Sequence, residues 1–422
     1  MPVAGGRLRG GAVGNSSFMA TVVLVGTLDT KGAEYAWLRE RVRALGCDVV
    51  LVDTGIEASD VEADVPAERV AEAGGTSLGA LRDAGDRGAA VTAMGEGAAA
   101  VLAGLDRVDA VLAVGGSGGS SIAARAVRDL PIGLPKLIVS TMASGDVTPY
   151  VGAKDVTLMY SVADIAGVNR VTRLVLGNAA AAAAGMARAY EAARAAPPAD
   201  ERPVVAASMF GVTTPAVDAA RERLEELGYE VLVFHATGAG GRALEGLVES
   251  GLVEGVLDLT TTELADDLVG GVLSAGPERL TAAGRRGVPQ VVAPGALDMV
   301  NFGPRETVPE RFEGRVLYVH NPTVTLMRTT PEEMAELGRR VAAKLAAATG
   351  PAALFVPLGG VSALDAPGLP FHDPAADEAC FAAMAGAVAG AVETERLDVN
   401  INDPSFGRAM ADRLHRMISE GA

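Results

Sequence analysis

Residues 22–55 read VVLVGTLDTKGAEYAWLRERVRALGCDVVLVDTG, and residues 204–238 read VVAASMFGVTTPAVDAARERLEELGYEVLVFHATG. Gly228 stands 182 positions after Gly46, the same offset that separates Val204 from Val22. Each stretch is an apolar run, a polar segment, an amphipathic run, a Gly and a second apolar run, which is the pattern of a βαβ unit. Tyr35, Leu38, Val42 and Leu45 fall on one helical face, and Val217, Ala220, Leu224 and Leu227 repeat the spacing. Gly46 and Gly228 occupy the place where a helix end favours a left-handed residue.

Working outward, apolar runs at 109–114, 137–139, 255–259, 288–293, 316–319 and 353–356 read as further strands, each followed by a polar or Gly-rich segment. Helical patterns cover 91–105, 122–129, 171–193, 331–347 and 380–392, the fourth opened by Thr330 as N-cap and Pro331 at the first helical position. Residues 56–90 show no clear periodicity. Strands alternating with helices predict an α/β protein of two doubly wound, Rossmann-like parallel-sheet domains related by internal duplication. The expected boundaries are an arm at 1–18, an N-terminal nucleotide-binding domain at 19–194, a linker at 195–202 and a C-terminal substrate or partner domain at 203–422. The linker rests on AAPPADER, where paired prolines end a helix.

Composition narrows the classes. The 422 residues carry a net charge of −17, which argues against a general nucleic-acid binder. A phosphate held by backbone N–H groups remains compatible with an acidic chain. The two cysteines, Cys47 and Cys380, lie in different halves, a poor disulfide framework that points to a reducing, cytoplasmic setting. The longest apolar tracts are Ala-rich and read as soluble helix rather than membrane span.

In doubly wound sheets ligands bind beyond the carboxyl ends of the strands. Three first-half segments share that edge: GTLDTKG with Thr27, Asp29, Thr30 and Lys31; GGSGGSS with Gly115, Gly116, Ser117, Gly118, Gly119 and Ser120; and STMASGD with Ser140, Thr141, Ser144, Gly145 and Asp146. Glycines before a helix offer free N–H groups, the hydroxyls add donors and Lys31 adds charge, a set suited to a polyanion. Asp29 and Asp146 are candidate Mg²⁺ ligands, and Asp53 at the second strand end is placed for a ribose hydroxyl. Neither the Walker A spacing nor the full dinucleotide fingerprint is present.

The second half has different equipment. His235 replaces Asp53, Glu263 follows DLTTT, Asp298 follows PGAL, and His320 ends the 316–319 strand. These four form a candidate acid–base or metal site for a small carboxylated or carbonyl substrate. His372 in FHDPAAD and His415 on a polar terminal helix read as structural.

GTLDTKGAE, the GGSGGS loop, LPKLIVSTMASG, SVADIAGVN, FHATGAGGRALE, DLTTTEL, HNPTVTLMRTTPEE and NINDPSF, in this order over about residues 20–418, resemble the ATP-binding family typified by the N-terminal region of the plant tobamovirus-resistance protein. The resemblance implies paired Rossmann-like subdomains, ATP in the first, and a homodimer. It maps the ATP site onto Thr27, Asp29, Thr30, Lys31 and the loops beginning at Gly115 and Ser140. The reading that follows is an ATP·Mg²⁺-dependent enzyme of small-molecule metabolism. An ATP-regulated protein-binding module and an ATP-independent hydrolase or lyase using His235 and His320 stand as alternatives.

Overall fold

The computed structural model describes residues 19–195, 202–388 and 392–421. The expected arm and residues 196–201 of the expected linker lie outside the described residues. The chain divides into two compact units, one of Met1–Val151 with Asp155–Pro197, the other of Gly152–Lys154 with Pro198–Ala422.

In the first unit the strands are β1 (Thr21–Gly26), β2 (Asp48–Asp53), β3 (Ala110–Gly115), β4 (Lys136–Ser140) and β5 (Val156–Tyr160). They pair in parallel in the order β2-β1-β3-β4-β5. The helices are α1 (Leu28–Ala44), α2 (Ala67–Ala73), α3 (Leu78–Ala84), α4 (Arg87–Ala103), α5 (Ser117–Val127), α6 (Thr148–Val151) and α7 (Arg170–Ala195). Both sheet faces are covered, which is why the strands are apolar at nearly every position. Val23 and Val25 of β1 join Met94 and Ile122 in one core, whereas Val22 and Leu24 join Leu38 and Leu176 in the other. The two-residue period of the strand divides its side chains between the cores. The alanines of α7 (Ala179, Ala180, Ala183, Ala184 and Ala187) form its buried face.

The second unit contains β6 (Val204–Met209), β7 (Glu230–His235), β8 (Gly255–Thr260), β9 (Gln290–Gly295), β10 (Met299–Phe302), β11 (Leu317–Asn321), β12 (Val324–Arg328), β13 (Ala352–Pro357) and β14 (Glu393–Leu397). Six strands make a sheet in the order β14-β13-β9-β8-β6-β7, every pair parallel. The helices are α8 (Thr214–Glu226), α9 (Ala239–Glu249), α10 (Glu263–Val269), α11 (Ala282–Arg286), α12 (Pro331–Ala346), α13 (Pro374–Val388) and α14 (Pro404–Gly421). Counted within each parallel sheet, the first five strands follow one order, so the duplication read in the sequence is a duplication of topology. Gly46 and Gly228 have φ of 79° and 94°, as their helix-end positions require. Thr330 caps α12 in a reciprocal pair with Glu333.

Three expectations are corrected. The 316–319 strand is not part of the parallel sheet: β11 pairs antiparallel with β12, and β12 with β10, in a separate three-stranded sheet. Asn321 Oδ1 accepts the Thr323 amide and hydroxyl at the turn, so the segment folds back on itself rather than crossing to a parallel neighbour. The GGSGGSS loop is mostly the first turns of α5, which begins at Ser117, and GTLDTKG is mostly the start of α1. The featureless stretch 56–90 holds α2, α3 and the start of α4; the first two are too short to show a helical period.

Candidate functional site

In the first unit β1 lies between β2 and β3, and α1 and α5 cover opposite faces. The chain therefore leaves β1 and β3 in opposite directions, and a crevice opens at their carboxyl ends. The Tyr35 hydroxyl ties these two strand ends together: it accepts the Val114 amide at 2.7 Å and lies 2.6 Å from the Val25 carbonyl and 2.9 Å from that of Val114. Burial raises the Tyr35 hydroxyl well above the usual phenol range, so it stays protonated. The ring lies against Gly26, where a Cβ would fall 2.0 Å from it.

A cavity of 510 Å³ fills this crevice. Its walls include Thr27, Asp29, Thr30 and Lys31 after β1, Thr54 and Gly55 after β2, Arg87 and Met94 of α4, and Gly116 to Gly119 after β3. Among the described residues, the amides of Ser117, Gly118 and Gly119 donate to no protein acceptor, and no side chain caps α5. They form the anion-attracting end of an 11-residue helix. Gly115 makes this possible, because a Cβ there would lie 2.9 Å from the Gly119 Cα.

Two buried oxygens on this wall lack a partner, Asp29 Oδ1 and Thr54 Oγ1. Asp29 Oδ2 accepts the amides of Ile56 and Glu57 at 3.0 and 3.1 Å, which fixes the carboxylate and leaves its other oxygen buried without a partner. Lys31 breaks the helical path of α1 with φ −132° and ψ 28°, and its ammonium donates to the Ile165 carbonyl at 2.6 Å. Two of its three N–H groups remain for a ligand. The hydroxyls of Thr27 and Thr30 are 2.8 Å apart.

Other expected ligands take structural places. Asp53 Oδ1 accepts the amides of Leu28 and Gly55, so it caps α1; burial raises its carboxyl pKa, and it lines a neighbouring 620 Å³ cavity instead. Ser120 and Ser140 are buried against each other at 2.6 Å, tying β4 to α5. Thr141, Ser144, Gly145 and Asp146 do not line the cavity, and Asp146 accepts the Thr148 amide at the head of α6. Thr54, Arg87 and Met94 were absent from the sequence-based set. The only local signal for Arg87 is the preceding Asp86, which caps α4 through the amides of Gly88 and Ala89. Among the described residues, no group of three or more His, Cys, Asp or Glu side chains is placed to hold a metal.

The equivalent crevice of the second unit is closed by its own side chains. Fully buried Arg279 donates to Asp258, to Glu263 at 2.6 Å and to Glu245 at 3.1 Å, and Ser208 donates to Asp258 at 2.6 Å. Glu263 also accepts the amides of Gly238 and Gly241. It is therefore an anchor for α9 with its oxygens committed. His235 is exposed at the end of β7, and His320 is exposed on β11. Asp298 is fully buried and accepts the Ser362 hydroxyl; burial pushes its carboxyl up to about 7. Among the described residues, no hydrogen bond or ion pair links any two of His235, Glu263, Asp298 and His320.

Cys47 and Cys380 are free and buried, and among the described residues no helix is long and apolar enough to cross a membrane. Residues 20–192 match the N-terminal domain and residues 202–418 the C-terminal domain of an uncharacterised protein family, UPF0261. A UPF0261 protein of Clostridium tetani is 48% identical over 404 residues, covering 94% of this chain and 99% of that protein. One from Rhizobium meliloti is 50% identical, covering 93% and 97%. The ToMV resistance protein Tm-1(GCR237) of Solanum lycopersicum is 40% identical over 93% of this chain, which spans 55% of that longer protein. With both domain models matched in order and relatives aligned from end to end, the chain belongs to the UPF0261 family.

Proposed function

We propose that the first unit binds ATP with Mg²⁺ and that the protein is an ATP-dependent enzyme acting on a small carboxylated or carbonyl substrate. The observation that carries the nucleotide reading is the pairing, in one cavity, of a buried carboxylate oxygen without a partner and three free helix-terminal amides. Mg²⁺ commonly takes one or two protein carboxylates and completes its shell with phosphate oxygens and water, which fits the single oxygen that Asp29 offers. The amides of Ser117, Gly118 and Gly119 would receive phosphate oxygens, and Lys31 and Arg87 would balance their charge. Bound metal would supply charge neutralisation at the phosphates. The resemblance to an ATP-binding family supports the choice of nucleotide.

Exposed apolar side chains at Tyr160, Val162, Val171 and Leu174 support a homodimer built on the β5 edge of this unit. The two buried free cysteines are compatible with a reducing cytoplasm.

Titration calorimetry with ATP, with and without Mg²⁺, tests the reading when ADP release is followed in the same samples. Wild type should bind at micromolar to millimolar ATP, and Lys31→Ala should weaken binding about tenfold, the loss of one charge-assisted contact. Absence of binding at several millimolar ATP would overturn it.

A further inference from the structure

The second unit has its own cavity, of 420 Å³, at the carboxyl ends of β13 and β14. Its polar wall is made by His372, Asp377, Glu378 and Arg396, with Phe381 and Leu358 on the apolar side. The segment LGGVSALD after β13 is shaped to frame it. Gly360 has φ 113°, and a Cβ there would fall 1.8 Å from the Asp365 carbonyl. Asn400, from the NIND turn after β14, donates to the carbonyls of Gly359, Ser362 and Asp365 and locks the segment in place.

Asp365 lies behind this wall. It is fully buried; its Oδ2 accepts the Val361 amide at 2.8 Å, its side chain is within hydrogen-bond reach of the Asp377 carboxyl, and no N–H or hydroxyl donor reaches its Oδ1. That oxygen lies 3.7 Å from His372 Nδ1. The separation is an ion-pair distance, and acid–base pairs are commonly long before a ligand arrives. A carboxylate behind Nδ1 orients the ring and leaves Nε2 to the cavity. Arg396 supplies a second cation on the same wall, held only at 3.6 Å by the exposed Glu378. Asp377 binds Arg328 at 2.8 Å, and burial together with Asp365 pushes its carboxyl up to about 8. It thus carries a proton near neutrality and does not repel an anion. Asp298, the remaining titratable neighbour of Asp365, is likewise raised to about 7, first by burial.

We propose that this cavity is a binding site for a small carboxylic acid, whose carboxylate is received by Arg396 and by Nε2–H of His372, the ring holding a proton on both nitrogens when the acid is bound, with Asp365 as the positioning residue. The site is independent of the nucleotide reading, and it is tested without nucleotide.

The chain has four histidines, which makes ring-nitrogen NMR of the full-length protein practical. The probes are pyruvate, malonate and inorganic phosphate, titrated separately. In wild type the neutral His372 ring should carry its proton on Nδ1. Pyruvate or malonate at millimolar concentration should shift the His372 nitrogens saturably and leave His235, His320 and His415 unmoved. Arg396→Gln, a change at a half-exposed position, should weaken that binding at least tenfold. Asp365→Asn should move the ring proton toward Nε2 and weaken binding. The proposal is overturned if neither carboxylate moves His372, if phosphate alone does, if Arg396→Gln binds as tightly as wild type, or if the neutral wild-type ring is protonated on Nε2.

Discussion

Gly55 and Asp29 occupy space that only a glycine at position 55 allows: a Cβ there would lie 2.7 Å from the Asp29 Cγ and 2.9 Å from both carboxylate oxygens. Gly55→Ala therefore has to displace the carboxylate that the amides of Ile56 and Glu57 hold. It should cost about 1–3 kcal/mol of stability, as overpacking of a filled site does. Mg²⁺-dependent ATP binding should fall more than Mg²⁺-free binding, read by calorimetry beside urea unfolding. Equal loss in both would remove Asp29 from metal binding.

The Tyr35 hydroxyl joins the carboxyl ends of β1 and β3. Tyr35→Phe leaves the Val114 amide buried without a partner and should cost about 1–3 kcal/mol. Unfolding by urea, monitored on the first unit, checks the value; an unchanged midpoint would show that the bond adds nothing.

Arg279 is fully buried among three carboxylates. Arg279→Met strands Asp258 and Glu263 as buried charges and should destabilise the second unit by about 3–5 kcal/mol. Soluble, cooperatively folding protein of wild-type stability would show that these carboxyls are protonated in the fold.

Burial pushes the carboxyl of Asp298 up to about 7, and burial with the neighbouring Asp365 pushes that of Asp377 up to about 8, against about 4 in an unfolded chain. Between these limits the native state holds protons that the unfolded state has released. Their contribution is complete below pH 4 and is lost as pH rises through about 7 to 8. Stability of the second unit should therefore fall between pH 5 and pH 8, and Asp298→Asn should flatten the decline. A variant with the wild-type slope would locate the titration elsewhere.

Leu174 is 66% exposed on α7. If this face pairs with a second copy, Leu174→Asp should convert a dimer to a monomer in sedimentation velocity. A wild-type monomer at micromolar concentration would remove the homodimer reading.

The sheets were legible because covered parallel strands are apolar throughout and their helices carry a visible stripe. Val22 to Val25 and the Tyr35–Leu38–Val42 face were enough to place the first βαβ unit. The β10–β12 sheet was not legible, since a short apolar run such as 316–319 does not declare its partner. At the candidate site, Asp29 and the Gly116–Gly119 turn could be read because they follow strands directly. Arg87 and Thr54 could not: Arg87 arrives on a helix that follows a segment without period, and Thr54 gives no sign of being buried. Asp53 and Glu263 were read as functional from their places after strands, yet each gives one carboxylate oxygen to two backbone amides, a use that sequence position does not distinguish from binding or catalysis. His372 was passed over for lying in a loop, and only the fold brings Asp365 behind it.

The guanidinium of Arg279 gives the second unit an internal occupant at the place where the first unit keeps a cavity. The two halves should then respond differently to heat in the presence of nucleotide. A ligand that binds only the native first unit raises that unit's melting transition with concentration, by mass action. The self-filled unit has nothing to gain from the same ligand there. In a calorimetric scan the duplicated fold would separate into one transition that travels with ATP concentration and one that stays where it was.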